Sequence, residues 1–223
     1  MQDTRKTLPL TVRKEFVEAL YAGRKSHTTS VGGLGQINQI PDAYALKEMT
    51  TNSAGDLVPV FTRWDNDLVS GGTWFGNIGT ELWVREWHVF LSLATGESLI
   101  RYYNGDTREI TENKELNYIR NKTDIPRPGM FSPRWGSRAD VTITALSIGR
   151  LLALTDDEIA LEGLASDKPG SYMNYSTRAE PYTYGLSALD SYLTLWDNSN
   201  KKIKSARNPW VWKAQFELHK GDK

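Results

Sequence analysis

Apolar residues recur along this chain in rhythms that predict its elements. Val12, Phe16, Ala19 and Leu20 fall three and four apart, which predicts a helix over 11–20. Thr11 is placed to cap it, and Gly23 to follow its last turn in the left-handed conformation. From Thr80 to Leu93 the period drops to two. Leu82, Val84 and Glu86 alternate with Trp83, Arg85 and Trp87, so one face carries two tryptophans flanking an arginine. A second strand is predicted over 98–103, ended by the turn dipeptide Asn104-Gly105. A third runs over 138–146 with Val141, Ile143 and Ala145 on one face. The clearest strand is the last, where Trp210, Trp212, Ala214, Phe216 and Leu218 alternate with Val211, Lys213, Gln215 and Glu217.

Two further helices announce themselves by their caps. Thr155-Asp156-Asp157-Glu158 has the capping-box pattern, with Gly163 as terminator. Ser187 precedes a stripe of Leu189, Tyr192, Leu193 and Trp196. Between these elements lie turn-rich stretches. Residues 30–79 hold Gly32-Gly33-Leu34-Gly35, Pro41, Asn52, Gly55, Pro59 and Gly71-Gly72, with a short strand expected at 57–63. Connections of that length are rare unless functional or inserted. Residues 106–129 and 168–185 read the same way. The order helix, strands, helix, helix, strand is α+β, most simply a small mixed sheet or barrel with helices packed outside, in one domain over 1–223.

Composition narrows the function. Lys plus Arg equals Asp plus Glu at 27 each, so the formal charge is zero. Proteins that grip phosphate backbones without sequence preference are usually basic, so a nucleic-acid role must rest on a local pocket. With no cysteine there is no disulfide, thiolate metal site or thiol nucleophile. No apolar stretch approaches the ~20 residues that cross a bilayer. The polar start, Met1 to Lys6, lacks the apolar core of a secretory signal, and a cytoplasmic protein without membrane contact is expected.

Several candidate chemistries are weak by spacing. Glycines 32, 33 and 35 resemble half of a phosphate-binding loop, but neither the helix nor the Gly-Lys-Ser/Thr continuation follows, so they read as a flexible loop. His27, His88 and His219 share no ligand spacing and no carboxylate cluster, so no metal and no cofactor are expected. Trp196, Trp210 and Trp212 fall on apolar stripes and read as core. Pro133-Arg134-Trp135-Gly136-Ser137-Arg138 sets two arginines beside a tryptophan before a strand. It is either a surface turn with a packed tryptophan or a loop whose guanidiniums meet phosphate and whose indole stacks on a base. Lys25 follows a helix end with Thr28 three residues on. A solvated basic turn is one reading, and a desolvated lysine acting as base for a hydroxyl is the other. In a regular strand, residues 25 and 28 point to opposite faces, so pairing them requires a turn or bulge. Glu162 stands in the last turn of its predicted helix, where the macrodipole disfavours negative charge, and four residues after Glu158.

Taken together, Ala22-Gly23-Arg24-Lys25, Leu82-Trp83-Val84-Arg85-Glu86, Pro133 to Arg138, Leu195-Trp196-Asp197 and Asn208-Pro209-Trp210-Val211-Trp212 resemble ASCH-domain proteins of the phage and prophage type. The resemblance covers about half the chain and leaves 31–77, 104–130 and 165–185 as insertions. It implies a PUA-like mixed β-barrel with flanking helices. The family includes amidohydrolases that deacetylate acetylcytidine. Their catalytic set is a lysine in an Ala-Gly-Arg-Lys turn, a threonine three residues later and a glutamate in a Leu-Thr-led helix. Lys25, Thr28 and Glu162 match it, with Leu154-Thr155 leading the helix. The family's arginine after the threonine is missing, its place taken by Thr29-Ser30-Val31.

The resemblance therefore implies a hydrolase acting on an acylated or otherwise modified nucleobase or nucleoside. Lys25 would be the neutral base, Trp83 or Trp135 would stack on the base, and Arg134 or backbone amides would hold the oxyanion. The alternative is a non-catalytic RNA-binding or modified-base-binding module, in which Arg85, Arg134 and Arg138 contact phosphate. A structural or host-interaction protein of a phage with a vestigial pocket is a third reading. The expected partner is a nucleoside or single-stranded nucleic acid, in the host cytoplasm if phage-encoded.

Overall fold

Short alternating runs with few long helical stripes give a chain whose regular elements are mostly strands. A computed structural model describes residues 8–72, 75–176 and 183–220. The polar start, Thr73, Trp74 and positions 177–182 of the third expected insertion lie outside the described residues. In chain order the elements are β1 (Leu8–Thr11), α1 (Val17–Tyr21), β2 (His27–Ser30), β3 (Tyr44–Thr51), β4 (Leu57–Arg63), β5 (Leu68–Ser70) and β6 (Glu81–Arg85). Then come β7 (His88–Ser92), β8 (Ser98–Tyr102), β9 (Thr107–Glu109), α2 (Asn113–Ile119) and β10 (Ala139–Arg150). The chain closes with α3 (Asp156–Ala160), β11 (Ser166–Lys168), β12 (Ser171–Tyr172), α4 (Ala188–Ser199) and β13 (Trp210–Lys220). The fold is mixed α+β, with strands in several sheets and few helices. Among the described residues each sheet keeps two edge strands and none closes into a barrel. No described helix is long and apolar enough to cross a membrane.

The chain divides into two compact units. The first comprises Met1–Ala22, Glu81–Val141 and Leu218–Lys223; the second comprises Gly23–Thr80 and Thr142–Glu217. In the first unit β1 pairs in parallel with β6, Leu8 opposite Leu82 and Thr11 opposite Arg85. Thr11 therefore ends a strand and is not the helix cap expected of it. The helical part begins with a 3-10 turn at Lys14–Phe16, and the apolar spacing still buries Val12, Phe16, Ala19 and Leu20. The expected strand over 80–93 is broken at Glu86-Trp87. Leu82, Trp83 and Val84 are all buried, so alternation does not leave the Trp83 face open. The meander β7-β8-β9 and α2 enclose a core of Phe90, Ile100, Tyr102, Ile110 and Ile119, against which Leu116 and Trp135 pack. The polar stretch expected as an insertion thus supplies two members of that core, because Ile110 and Ile119 are its buried apolar residues.

In the second unit β2 pairs antiparallel with β13, placing His27 opposite Gln215, Thr28 opposite Ala214 and Thr29 opposite Lys213. Trp212, Ala214 and Phe216 are buried as the alternation predicts, and Trp212 Nε1 donates to the Gly72 carbonyl at 2.8 Å. Trp210 meets Phe61 edge-on at 5.0 Å. Its backbone N–H and carbonyl are both bonded by the Asn38 side chain. The capping box on Thr155 and the Ser187 cap both form. The turn-rich region 30–79 is more regular than its composition predicts, since β3, β4 and β5 make an antiparallel meander with β4 at the expected 57–63. One of its glycines, Gly33, serves a close backbone contact. A Cβ on Gly33, whose φ is +78°, would lie 1.9 Å from the Gly72 carbonyl oxygen.

That contact separates two kinds of glycine. Gly55 has φ +86° with open space around it, so Gly55→Ala loses only the left-handed penalty of about 1–2 kcal/mol. Gly33→Ala adds a backbone overlap and is expected to cost at least ~1 kcal/mol more than Gly55→Ala in urea unfolding. Equal losses would contradict the close approach.

Candidate functional site

Gly23, at φ +73°, turns the chain out of α1 and delivers Lys25 to the segment that follows α3. The two segments are held by backbone. Ser26 and His27 both donate to the Leu161 carbonyl at 3.0 and 3.1 Å, and Lys25 and Glu162 form a β-bridge. α3 ends at Ala160 with Leu161 as its cap, so Glu162 lies in the turn beyond the helix and not in its last turn as expected. Gly163, at φ +78°, is the terminator the sequence predicts.

These backbone contacts bring together two charged side chains 137 positions apart. Lys25 Nζ lies 2.7 Å from Glu162 Oε2, 3.1 Å from the Glu162 carbonyl and 2.8 Å from the His27 carbonyl. Lys25 is 7% exposed and Glu162 4%. Three acceptors around three N–H donors is the environment of an ammonium. Burial pushes the Glu162 carboxyl up, but the Lys25 charge, then His27, outweigh it and hold it below the ordinary glutamate value. His27 Nδ1 stands 3.3 Å from Glu162 Oε1 without the alignment of a hydrogen bond. Above the carboxylate, Tyr192 Oη donates to Glu162 Oε1 at 3.4 Å and makes a short contact with Thr29 Oγ1. Burial, reinforced by Glu162, raises the Tyr192 phenol well above its usual range.

Lys25 and Glu162 therefore meet, as the resemblance requires. Thr28 does not join them: strand alternation turns it to the face opposite His27 and Thr29. The hydroxyl connected to Glu162 is that of Thr29, through Tyr192. Sequence spacing gives no sign of this, because Tyr192 comes from α4 and reads there as one member of an apolar stripe. Lys213, opposite Thr29 in the β2–β13 register, is a further cation near the site and is ion-paired to Glu158. Among the described residues no group of three or more His, Asp or Glu is gathered to hold a metal ion.

The residues expected to bind substrate lie in the first unit, and each has an internal partner. Arg138 grips Glu86 with two parallel bonds, Nε to Oε1 at 3.0 Å and Nη2 to Oε2 at 2.6 Å. It also pairs with Asp106 and lies over the Tyr102 and Tyr21 rings at 3.9 and 4.7 Å. Tyr21 Oη donates to the same Glu86 at 2.8 Å. Arg134 is ion-paired with Asp140 at 2.9 Å, and both it and Arg85 lie over the Trp83 ring. Trp135 packs on Phe90 and Tyr118 at 5.9 and 5.8 Å, under Arg108. In the 133–138 segment the tryptophan is packed and both arginines are paired within their own unit.

The buried pair sets a stability test. Removing one partner leaves the other charge buried, so Lys25→Met and Glu162→Gln should each cost about 3–5 kcal/mol, and Lys25→Met with Glu162→Leu should recover much of it. Because the folded Glu162 pKa lies below its unfolded value, its contribution is full above the ordinary glutamate range and is lost as pH falls through the folded value. The difference in unfolding free energy between wild type and Glu162→Gln should therefore shrink as the pH is lowered from about 6 toward 2. A difference that stays constant or grows in acid contradicts the pairing.

Compared with protein-family models, with curated proteins and with solved structures, the chain matches none.

Proposed function

We propose that the protein is a hydrolase of acyl groups carried on a nucleobase or nucleoside, an ASCH-type amidohydrolase with a PUA-like arrangement of its strands. The observation that carries this reading is the buried pairing of Lys25 with Glu162, contributed by the two segments whose residues match the family's turn and helix. The ordered Gly23 turn and the Thr155 capping box, which present those segments, add support.

This reading assigns the roles differently from sequence alone. Lys25, surrounded by acceptors, is a donor and counter-ion that keeps Glu162 ionised and fixed in orientation. Glu162 is then the group that takes the proton released when an oxygen attacks the acyl carbon, and it returns that proton to the departing nitrogen. The products are a carboxylic acid and the free base. No observation favours the RNA-binding alternative, since Arg85, Arg134 and Arg138 are engaged within their own unit and the formal charge is zero.

The test is release of carboxylic acid from a panel of N-acylated cytidines. Wild-type protein is expected to turn over at least one of them. Lys25→Met and Glu162→Gln are expected to lose about 10²–10⁴-fold, the span assigned to a positioned acid–base group. Absence of wild-type turnover across the panel, or unchanged rates in both variants, would overturn the proposal.

A further inference from the structure

Donor counting identifies which hydroxyl the site can activate. Glu162, ionised against Lys25, can only accept hydrogen bonds. Tyr192 has a single hydroxyl hydrogen, and the charged Glu162 Oε1, 3.4 Å away, is the stronger of its two acceptors. In its second contact the Tyr192 oxygen must therefore accept, so Thr29 Oγ1 is the donor there. The Thr29 hydrogen is aimed inward along a line that ends on the carboxylate, and among the described residues its oxygen has no other hydrogen-bond partner. Tyr192 and Glu162 are buried while Thr29 is half-buried, which makes Thr29 the outermost member of the chain of hydroxyls. A nucleophile bonded to a base that a third group holds in place is the arrangement that activates a weak alcohol. Directly opposite Thr29 on the neighbouring strand is Lys213, held by Glu158. Gly149 lies against it, and a Cβ there would stand 3.8 Å from its Nζ.

We propose that Thr29 is the nucleophile of an acyl-transfer site, activated by Glu162 through Tyr192, with Lys213 as the cation facing the developing oxyanion. The proposal rests on the acyl-hydrolase reading above and names the attacking atom that reading leaves open. Thr29 Oγ1 bonds to the acyl carbon while its proton passes to Tyr192 Oη, and the Tyr192 proton passes to Glu162 Oε1. The carbonyl electron pair moves onto oxygen. When that pair returns, the bond to the leaving nitrogen or oxygen breaks. Tyr192 gives the leaving atom a proton and recovers one from Glu162. Water then attacks the acyl-threonine ester, its proton taken by the same path, and the carboxylic acid departs as Thr29 regains its hydrogen.

The test is acylation of the full chain by p-nitrophenyl acetate, located by peptide mass spectrometry. One acetyl group on Thr29 is expected. It should persist in Thr28→Val, move with the hydroxyl in Thr29→Ser, vanish at that position in Thr29→Val, and form at least ~10-fold more slowly in Tyr192→Phe. Acetyl on Thr28, acetyl on lysines alone, no acetyl at all, or an unchanged rate in Tyr192→Phe would each overturn it. The two proposals separate cleanly. Acetylation of Thr29 without turnover of any acylated cytidine removes the nucleobase reading and supports this one. Turnover of acylated cytidine by Thr29→Val supports that reading and removes this one.

Discussion

Holding the Lys25 ammonium beside the Glu162 carboxylate takes two charges out of water, a transfer that costs several kcal/mol per ion. It is tolerable only because every donor on Nζ has an acceptor, two of them backbone carbonyls that cannot move away. The two carbonyls depend in turn on the bridge between the post-α1 and post-α3 segments, and that bridge depends on left-handed glycines at 23 and 163. The arrangement of the neighbouring hydroxyls follows from this one constraint. Kept ionised, Glu162 accepts from Tyr192, whose oxygen in turn contacts Thr29.

The tryptophan-rich segments serve a different end. Asn208 takes the left-handed conformation, and its side chain accepts from the Leu152 amide, which leads β13 in at a fixed angle. Trp196 donates to the Ile203 carbonyl and Asp197 accepts from Ser205, so Leu195-Trp196-Asp197 closes the loop after α4. These are packing and capping roles. In the first unit, the Arg138–Glu86 fork with its two tyrosines plays a comparable part: Glu86 is 1% exposed and would be an uncompensated charge without it.

Much of the framework was legible because it is local. Capping at Thr155 and Ser187, the turn at Gly23 and the alternation of the last strand each need only a few neighbouring residues, and each forms as read. The meeting of Lys25 and Glu162 was legible only through resemblance, since nothing in their spacing links them. What escaped was set by tertiary contact. Tyr192 looks apolar in its stripe, and its hydroxyl gains meaning only beside Glu162. Thr28 and Thr29 are adjacent and alike, and only the pairing of β2 with β13 decides that Thr29 is the one to meet Tyr192. Residues 30–79 looked irregular because glycines that permit backbone contact resemble glycines that permit disorder.

The most direct check is a titration of the Glu162 side-chain carboxyl by carbon-13 NMR. A carboxylate buried beside an ammonium should titrate with a midpoint below the ordinary 4.5 and move upward when Lys25 is replaced by methionine. A midpoint at or above 4.5 in the wild-type protein, or one indifferent to Lys25, would contradict the account at its foundation.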